Sequence, residues 1–158
     1  MAVSTDKLME VAIDAARRGI VAGQSPFGCA IAIDGKIVSA CHNTVLLTTD
    51  ITAHAEVNAI REACRRLDNI FLDNAIVATT CEPCPMCMSA LHWARVKSVY
   101  FGATISDAAA AGFNELTIPA KKLISEGGGS VELIDDTMAD ACRQLFAEWK
   151  KMNPESAY

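Results

Sequence analysis

The sequence predicts an α/β domain with helices on both sides of one mixed β-sheet, and three observations carry that prediction. The stretch "GCAIAIDGKIVSACHN" is two strand-like segments hinged at Asp34-Gly35, a dipeptide suited to the positive φ angles of a two-residue hairpin turn. "AIVATT" (75–80) and "VKSVYFGA" (96–103) flank the helical "CPMCMSALHWA" (84–94). A strand, a helix of about three turns and a second strand read as a right-handed βαβ unit with parallel strands. Helical periodicity returns near both ends of the chain, which supplies helices to cover the sheet.

Taken in order, Ser4-Thr5-Asp6 offers N-cap candidates for a first helix ending at Gly19, with Leu8, Val11, Ala12 and Ala15 on one face. After the hairpin, residues 54–67 place Val57, Ile60, Cys64 and Leu67 three, four and three positions apart, which predicts a helix with one apolar stripe. "AIVATT" is apolar without alternation, as expected of a central strand covered on both faces. "SEGGGS" (125–130) reads as a loop, not a domain boundary, because neither side could form a core alone. "VELI" is a short strand, and Asp135-Asp136-Thr137 is expected to cap a last helix with Met138, Ala141, Cys142, Leu145 and Trp149 inward. With 158 residues and no internal repeat, the chain is assigned as one domain, 1–158.

Composition narrows the function classes. The chain is 51% hydrophobic and 21% charged, which excludes wholesale disorder. Its formal net charge is −5, and the basic pairs (Arg17–Arg18, Arg65–Arg66, Lys121–Lys122, Lys150–Lys151) are scattered among acids. That is not the basic footprint of a nucleic-acid binder, so a polyanionic partner is disfavoured. No N-terminal stretch has the succession of a signal peptide and no apolar run reaches transmembrane length, so no membrane association is expected. Seven cysteines do not suggest a disulfide framework. Cys29, Cys41, Cys64 and Cys142 read as small buried hydrophobes, and the compartment as the reducing cytoplasm.

The chemistry is concentrated in "TCEPCPMC", which sets Cys81, Cys84 and Cys87 three positions apart. An iron–sulfur ligand run would continue with cysteine and proline at positions 91 and 92, where this chain has Leu91 and His92. A redox pair fits poorly, since each spacer contains proline and a third thiol crowds the pair. Zinc remains, and it needs a ligand from elsewhere. His54 and Glu56, in "TAHAEVNA", complete the pattern H-x-E…P-C-x-x-C of the zinc deaminases. His54, Cys84 and Cys87 as Zn2+ ligands leave the fourth tetrahedral position open, the mark of a catalytic site. Cys84 and Cys87 fall in a helix first turn with Pro85 near its start, where a missing N–H is harmless and the helix end stabilises thiolates. Cys81 reads as a packed neighbour. Glu56 is assigned to take the water proton and deliver it to a ring nitrogen and the leaving amine.

Beyond that motif, "PFGCAI", Cys41-His42-Asn43, "TAHAEVNAIREAC", "TTCEPCPMCMSALHWAR" and "DAAAAGFNE" resemble the cytidine deaminase-like superfamily. Within it they look most like the bacterial guanine deaminases, from about residue 5 to the C-terminus. The resemblance implies a three-layer α/β/α fold with a five-stranded mixed sheet, a homodimer, and Zn2+ held by His54, Cys84 and Cys87. It also implies Glu56 as the proton shuttle and the backbone of Ala55 and Cys84 as partners of the reacting ring. Asn114 stands where the family commonly has aspartate. The expected activity is hydrolysis of guanine to xanthine and ammonia. Deamination of tRNA adenosine, or of cytosine or a nucleotide, are the other enzymatic readings, and a zinc-stabilised interaction module is the non-enzymatic one.

A purine in such a cleft needs a stacking face, an anchor for its polar edge and a group near the leaving amine. Phe27, next to Pro26, is the candidate stacking face, against the ordinary alternative of core packing. Asn43 can donate and accept at once and is the candidate anchor, its alternative being a local turn role. Glu115, after Gly112-Phe113, is the candidate for binding and helping to protonate the C2 amine, and Tyr158 for excluding water over the site.

Overall fold

Ser4 caps α1 (Thr5–Val21), its side chain accepting from the Lys7 amide, and the helix buries Leu8, Ala12 and Ala15 together with Met9, Ile13, Ala16 and Ile20. It runs two residues past Gly19, and Val11 is only half-buried. The computed structural model describes residues 1–153 and 157–158. The single-domain assignment 1–158 therefore includes 154–156, which lie outside the described residues.

The hairpin follows as β1 (Gly28–Ile33) and β2 (Lys36–His42), with Asp34 at φ 50° and Gly35 at φ 72° in the turn. After it come α2 (Val45–Thr48), α3 (Ala55–Leu67), β3 (Ile76–Cys81), α4 (Pro85–Trp93), β4 (Ser98–Ala103), α5 (Ile105–Ala110), α6 (Ala120–Glu126), β5 (Glu132–Ile134) and α7 (Ala139–Met152). The strand order is β2-β1-β3-β4-β5. β1 is antiparallel to β2 and to β3, while β4 lies between β3 and β5 and is parallel to both. This is the five-stranded mixed sheet expected.

Alternation along the strands divides the core into two clusters. Ala30, Ala32, Ala78 and Ala103 pack with Leu8 of α1 and with Leu145 and Trp149 of α7. Cys29, Ile31, Val77 and Val99 pack with α3 and with Met88 and Leu91 of α4. The sheet is thus covered on both faces, as "AIVATT" requires. Leu8, Leu91 and Leu145 are at most 1% exposed, and burying each such side chain contributes about 1.5–3 kcal/mol. The small residues of the first cluster let α1 lie close. A Cβ at Gly28 would stand 2.0 Å from the Ala12 carbonyl oxygen, so only glycine fits there.

Three expectations are corrected. The face that α3 buries is Ala55, Glu56, Ala59 and Ala63, whereas Val57, Ile60 and Cys64 are half-buried and Leu67 is 43% exposed. Alanines, four apart, allow the close approach to the sheet that larger side chains would prevent. The last helix is not capped by Asp135-Asp136-Thr137. It starts at Ala139 after Met138 in the left-handed region (φ 50°), because the Thr137 amide donates to Phe101 and holds that segment against β4. Its buried face includes Phe146, and Met138 and Ala141 are only half-buried. Finally, the loop expected over residues 125–130 begins only at Gly127. Thr104 and Asp107 form a reciprocal capping box for α5, and Ser125-Glu126 finish α6.

The register shows where a site must form. Gly28 pairs with His42, Cys29 with Thr79, and Cys81 with Ala103. The start of β1 and the ends of β2, β3 and β4 therefore share one edge, from which Phe27, Asn43, Glu82 and Thr104 lead away. Clefts outside strand ends are the usual place for ligands in α/β folds. No helix among the described residues is long and apolar enough to cross a membrane.

Candidate metal centre and active site

His54 and Cys84 each occupy the N-cap position of a helix, α3 and α4, in extended conformation and without a side-chain capping bond. Their side chains are left for another task. Pro85 follows at the first helical position, where its missing N–H leaves no gap. Cys87 lies one turn further, fully buried. The His54 Nδ1 atom is 3.7 Å from Cys84 Sγ and 3.5 Å from Cys87 Sγ. The three ligand atoms lie within 4.8 Å of one another, the one such cluster among the described residues.

Those separations fit zinc. Bonds of about 2.3 Å to sulfur and about 2.0–2.1 Å to nitrogen at a tetrahedral angle give an N···S edge of about 3.6 Å. Two thiolates and one imidazole are also the donors that zinc favours, and a three-residue set leaves one position for a reactant. The helix ends that meet here contribute free N–H groups and partial positive charge. The Cys84 thiol is held down to about 4, first by the hydrogen bond from Cys87, with His54 adding to it against the cost of burial. Cys87, the donor of that bond and itself buried, is pushed well up. Burial opposes a charged His54 imidazole, but the hydrogen bond to Cys84 and the charge of Glu56 outweigh it and raise its pKa.

Glu56, two residues into the same helix end, is 6% exposed. Burial, reinforced by the Cys84 charge, raises its carboxyl above the usual range. Thr79 Oγ1 donates to Glu56 Oε1 at 2.8 Å from the adjacent central strand. Sequence reasoning missed Thr79. The available signal was a hydroxyl on a strand position buried on both faces, which must find a partner.

The other candidates gather around the same point. Phe27, Asn43, His54, Glu56, Glu115 and Tyr158 line one cavity of about 30 Å³. A neighbouring cavity of about 310 Å³, bordered by the exposed Ile51, Met86 and Leu116, shares His54, Cys84, Glu115 and Tyr158 with it. Phe27 is half-buried and belongs to both settings. It lines the cavity, yet meets Phe113 edge-on at 4.9 Å and Phe146 at 5.8 Å. Asn43, 1% exposed, uses Oδ1 to accept from the Val45 amide and Nδ2 to donate to the Tyr158 hydroxyl at 2.6 Å. The local turn bond is therefore made by a side chain that also lines the cavity. Ala55 is fully buried, so only its backbone can face a ligand. Glu115 is half-buried, and its carboxyl is raised by burial and by the Cys84 charge. Tyr158 is pushed to about 12, chiefly by burial, and its carbonyl accepts from the Asn114 amide. Cys81, 7% exposed, directs its thiol to the Thr104 carbonyl and stands outside the cluster.

Comparison with known proteins agrees with this geometry. The family described as the cytidine and deoxycytidylate deaminase zinc-binding region matches residues 3–103. The chain is 46% identical over 111 residues to a guanine deaminase of Bacillus subtilis, covering 70% of this chain and 71% of that one. It is 43% identical over 95 residues to a tRNA-specific adenosine deaminase of Aquifex aeolicus, covering 60% and 63%. A solved guanine deaminase from Nitrosomonas europaea superposes with a TM-score of 0.87 at 25% identity, covering 96% of this chain and 87% of that one.

Proposed function

We propose that this chain, which belongs to the cytidine and deoxycytidylate deaminase zinc-binding family, hydrolyses guanine to xanthine and ammonia. The observation that carries the reaction class is the buried Glu56 carboxylate beside a three-ligand His54, Cys84 and Cys87 cluster. The 46% identical guanine deaminase carries the choice of base. His54, Cys84 and Cys87 hold zinc. Zinc, when bound, lowers the pKa of a coordinated water from 15.7 to about 7.

The chain's own residues do the rest. Glu56, oriented by Thr79, carries one proton of the attacking water to a ring nitrogen, then carries the remaining hydroxyl proton to the departing amine. The water oxygen becomes the new carbonyl at C2, and the amine leaves as ammonia. Glu115 binds the C2 amine across the cavity, and its raised pKa suits it to relay that second proton to the amine. Phe27 offers an aromatic face, held by Phe113 and Phe146. Asn43 reads the polar ring edge by exchanging its Tyr158 bond for one to the base, while its bond to the Val45 amide keeps the side chain in place. The Ala55 backbone N–H, in the first turn of α3, faces the reacting ring, and Tyr158 covers the base.

An ammonia-release screen over guanine, adenine, cytosine, guanosine and a tRNA anticodon stem tests this reading. Guanine should dominate. Turnover confined to the anticodon stem would transfer the assignment to tRNA editing. One zinc per chain without ammonia from any substrate would favour an interaction module. Glu115→Gln should lower kcat/KM on guanine at least tenfold, about 1.4 kcal/mol, with zinc content unchanged. An unaltered rate would remove Glu115 from the site.

The same proposal includes a cytoplasmic homodimer. All seven cysteines are free, and two are needed as thiolates. Met86 and Trp93, two turns apart on α4, are 37% and 73% exposed, and Ile51 and Leu116 beside the site are 63% and 67% exposed. Large exposed apolar side chains clustered at a site mouth mark an interaction surface, and a second copy covers it in this reading. Light scattering at micromolar concentration should give twice the chain mass. A monomer would overturn the assembly but not the chemistry.

A further inference from the structure

Glu82 stands two residues before Cys84 at the end of β3, and its two carboxylate oxygens do different things. Oε2 accepts from the Ile105 amide at 3.0 Å, and Oε1 accepts from the Ala120 amide at 2.9 Å. Ile105 and Ala120 are the first residues of α5 and α6. Amides there have no partner within their own helix, so a single side chain satisfies one in each. The Glu82 amide also donates to the Ala103 carbonyl at 2.8 Å, which fixes its backbone to the end of β4. The stretch between the two anchored amides, 105–120, contains Phe113 and Glu115, both lining the small cavity that Glu82 itself borders.

We propose that Glu82 is the positioning residue for Glu115: one carboxylate, rooted in the metal-binding turn, pins both ends of the segment that carries Glu115 and so sets its placement against the metal site. This rests on Glu115 acting at the substrate amine. A group two residues from a ligand thereby couples the metal turn to a substrate-reading segment. Hydrogen bonds to an ionised acceptor are stronger and shorter than neutral ones, which makes a carboxylate the suitable joint between two helix starts. Glutamine has the same reach but only one acceptor oxygen, and its amide end would face an N–H.

Glu82→Gln should therefore keep one zinc per chain while kcat/KM on guanine falls at least tenfold, mainly through kcat. Amide hydrogen exchange should accelerate at Ile105 and Ala120 and stay unchanged in α4. Combined with Glu115→Gln, the double variant should be no slower than Glu115→Gln alone, because the first change acts through the second residue. Glu82→Asp keeps the charge but is one methylene shorter and reaches one amide. It should show the same pattern more weakly, and it carries the test if the glutamine variant does not fold. Multiplicative losses in the double variant, a wild-type rate in Glu82→Gln, or unchanged exchange at both amides would overturn the inference. A wild-type rate in Glu115→Gln would instead overturn the role of Glu115, and this coupling with it.

Discussion

Glu56→Gln is expected to fold, to retain zinc, and to lose about 10²–10⁴-fold in turnover, the usual worth of general acid–base catalysis. The substitution is nearly isosteric in a site that is 6% exposed, so packing is preserved. Thr79 Oγ1 can still donate to the remaining amide oxygen. What disappears is the group that accepts and returns a proton, while the ligand set is untouched. Stability should not fall. A buried carboxylate whose pKa is raised by desolvation and by the Cys84 charge opposes the folded state when ionised, and a neutral amide removes that opposition. Steady-state kinetics, metal analysis and a thermal melt on one preparation check all three statements. A rate near wild type would take the proton shuttle away from Glu56. Loss of zinc along with activity would show that the carboxylate holds the metal site together instead.

The metal cluster is legible in the sequence because the relations within it are mostly local. Cys84 and Cys87 are placed by one helix turn, and His54 and Glu56 by another. Only the pairing of the two turns is long-range, and the joint spacing pattern supplied it. Asp34-Gly35 fixed the hairpin by turn chemistry in the same local way. The failures have the opposite character. The stripe Val57, Ile60, Cys64 and Leu67 obeys helical periodicity, but the sheet selected the alanine face of α3, because the distance between layers depends on both surfaces. Asp135 and Asp136 are good capping residues by type, yet the tie from Thr137 to Phe101 moved the helix start beyond them. Thr79 and Glu82 act through partners 23 and 38 positions away. Nothing in the spacing of those residues announces the contact.

Replacing Cys84 or Cys87 by alanine is expected to abolish zinc binding and reduce activity to background, whereas Cys81→Ala should keep both. The three thiols are equivalent in sequence and differ only in what they face. Cys84 and Cys87 each lie within 3.7 Å of His54 Nδ1, and the hydrogen bond from Cys87 lowers the Cys84 thiol to about 4. Loss of either leaves two protein ligands. Two ligands neither close a tetrahedral structural site nor provide the three that catalytic zinc sites use. Cys81 bonds the Thr104 carbonyl, and burial pushes its thiol well above the ordinary range, the opposite of a poised ligand. Its removal costs packing, on the order of 1 kcal/mol for one buried heavy atom, which a melt would register as a small shift. Metal content per chain after dialysis against zinc-free buffer separates the cases. Zinc lost in Cys81→Ala but kept in Cys87→Ala would overturn the ligand set. Partial retention in Cys87→Ala with full loss in Cys84→Ala would instead rank the ligands, with Cys84, at the mouth of α4, as the anchor.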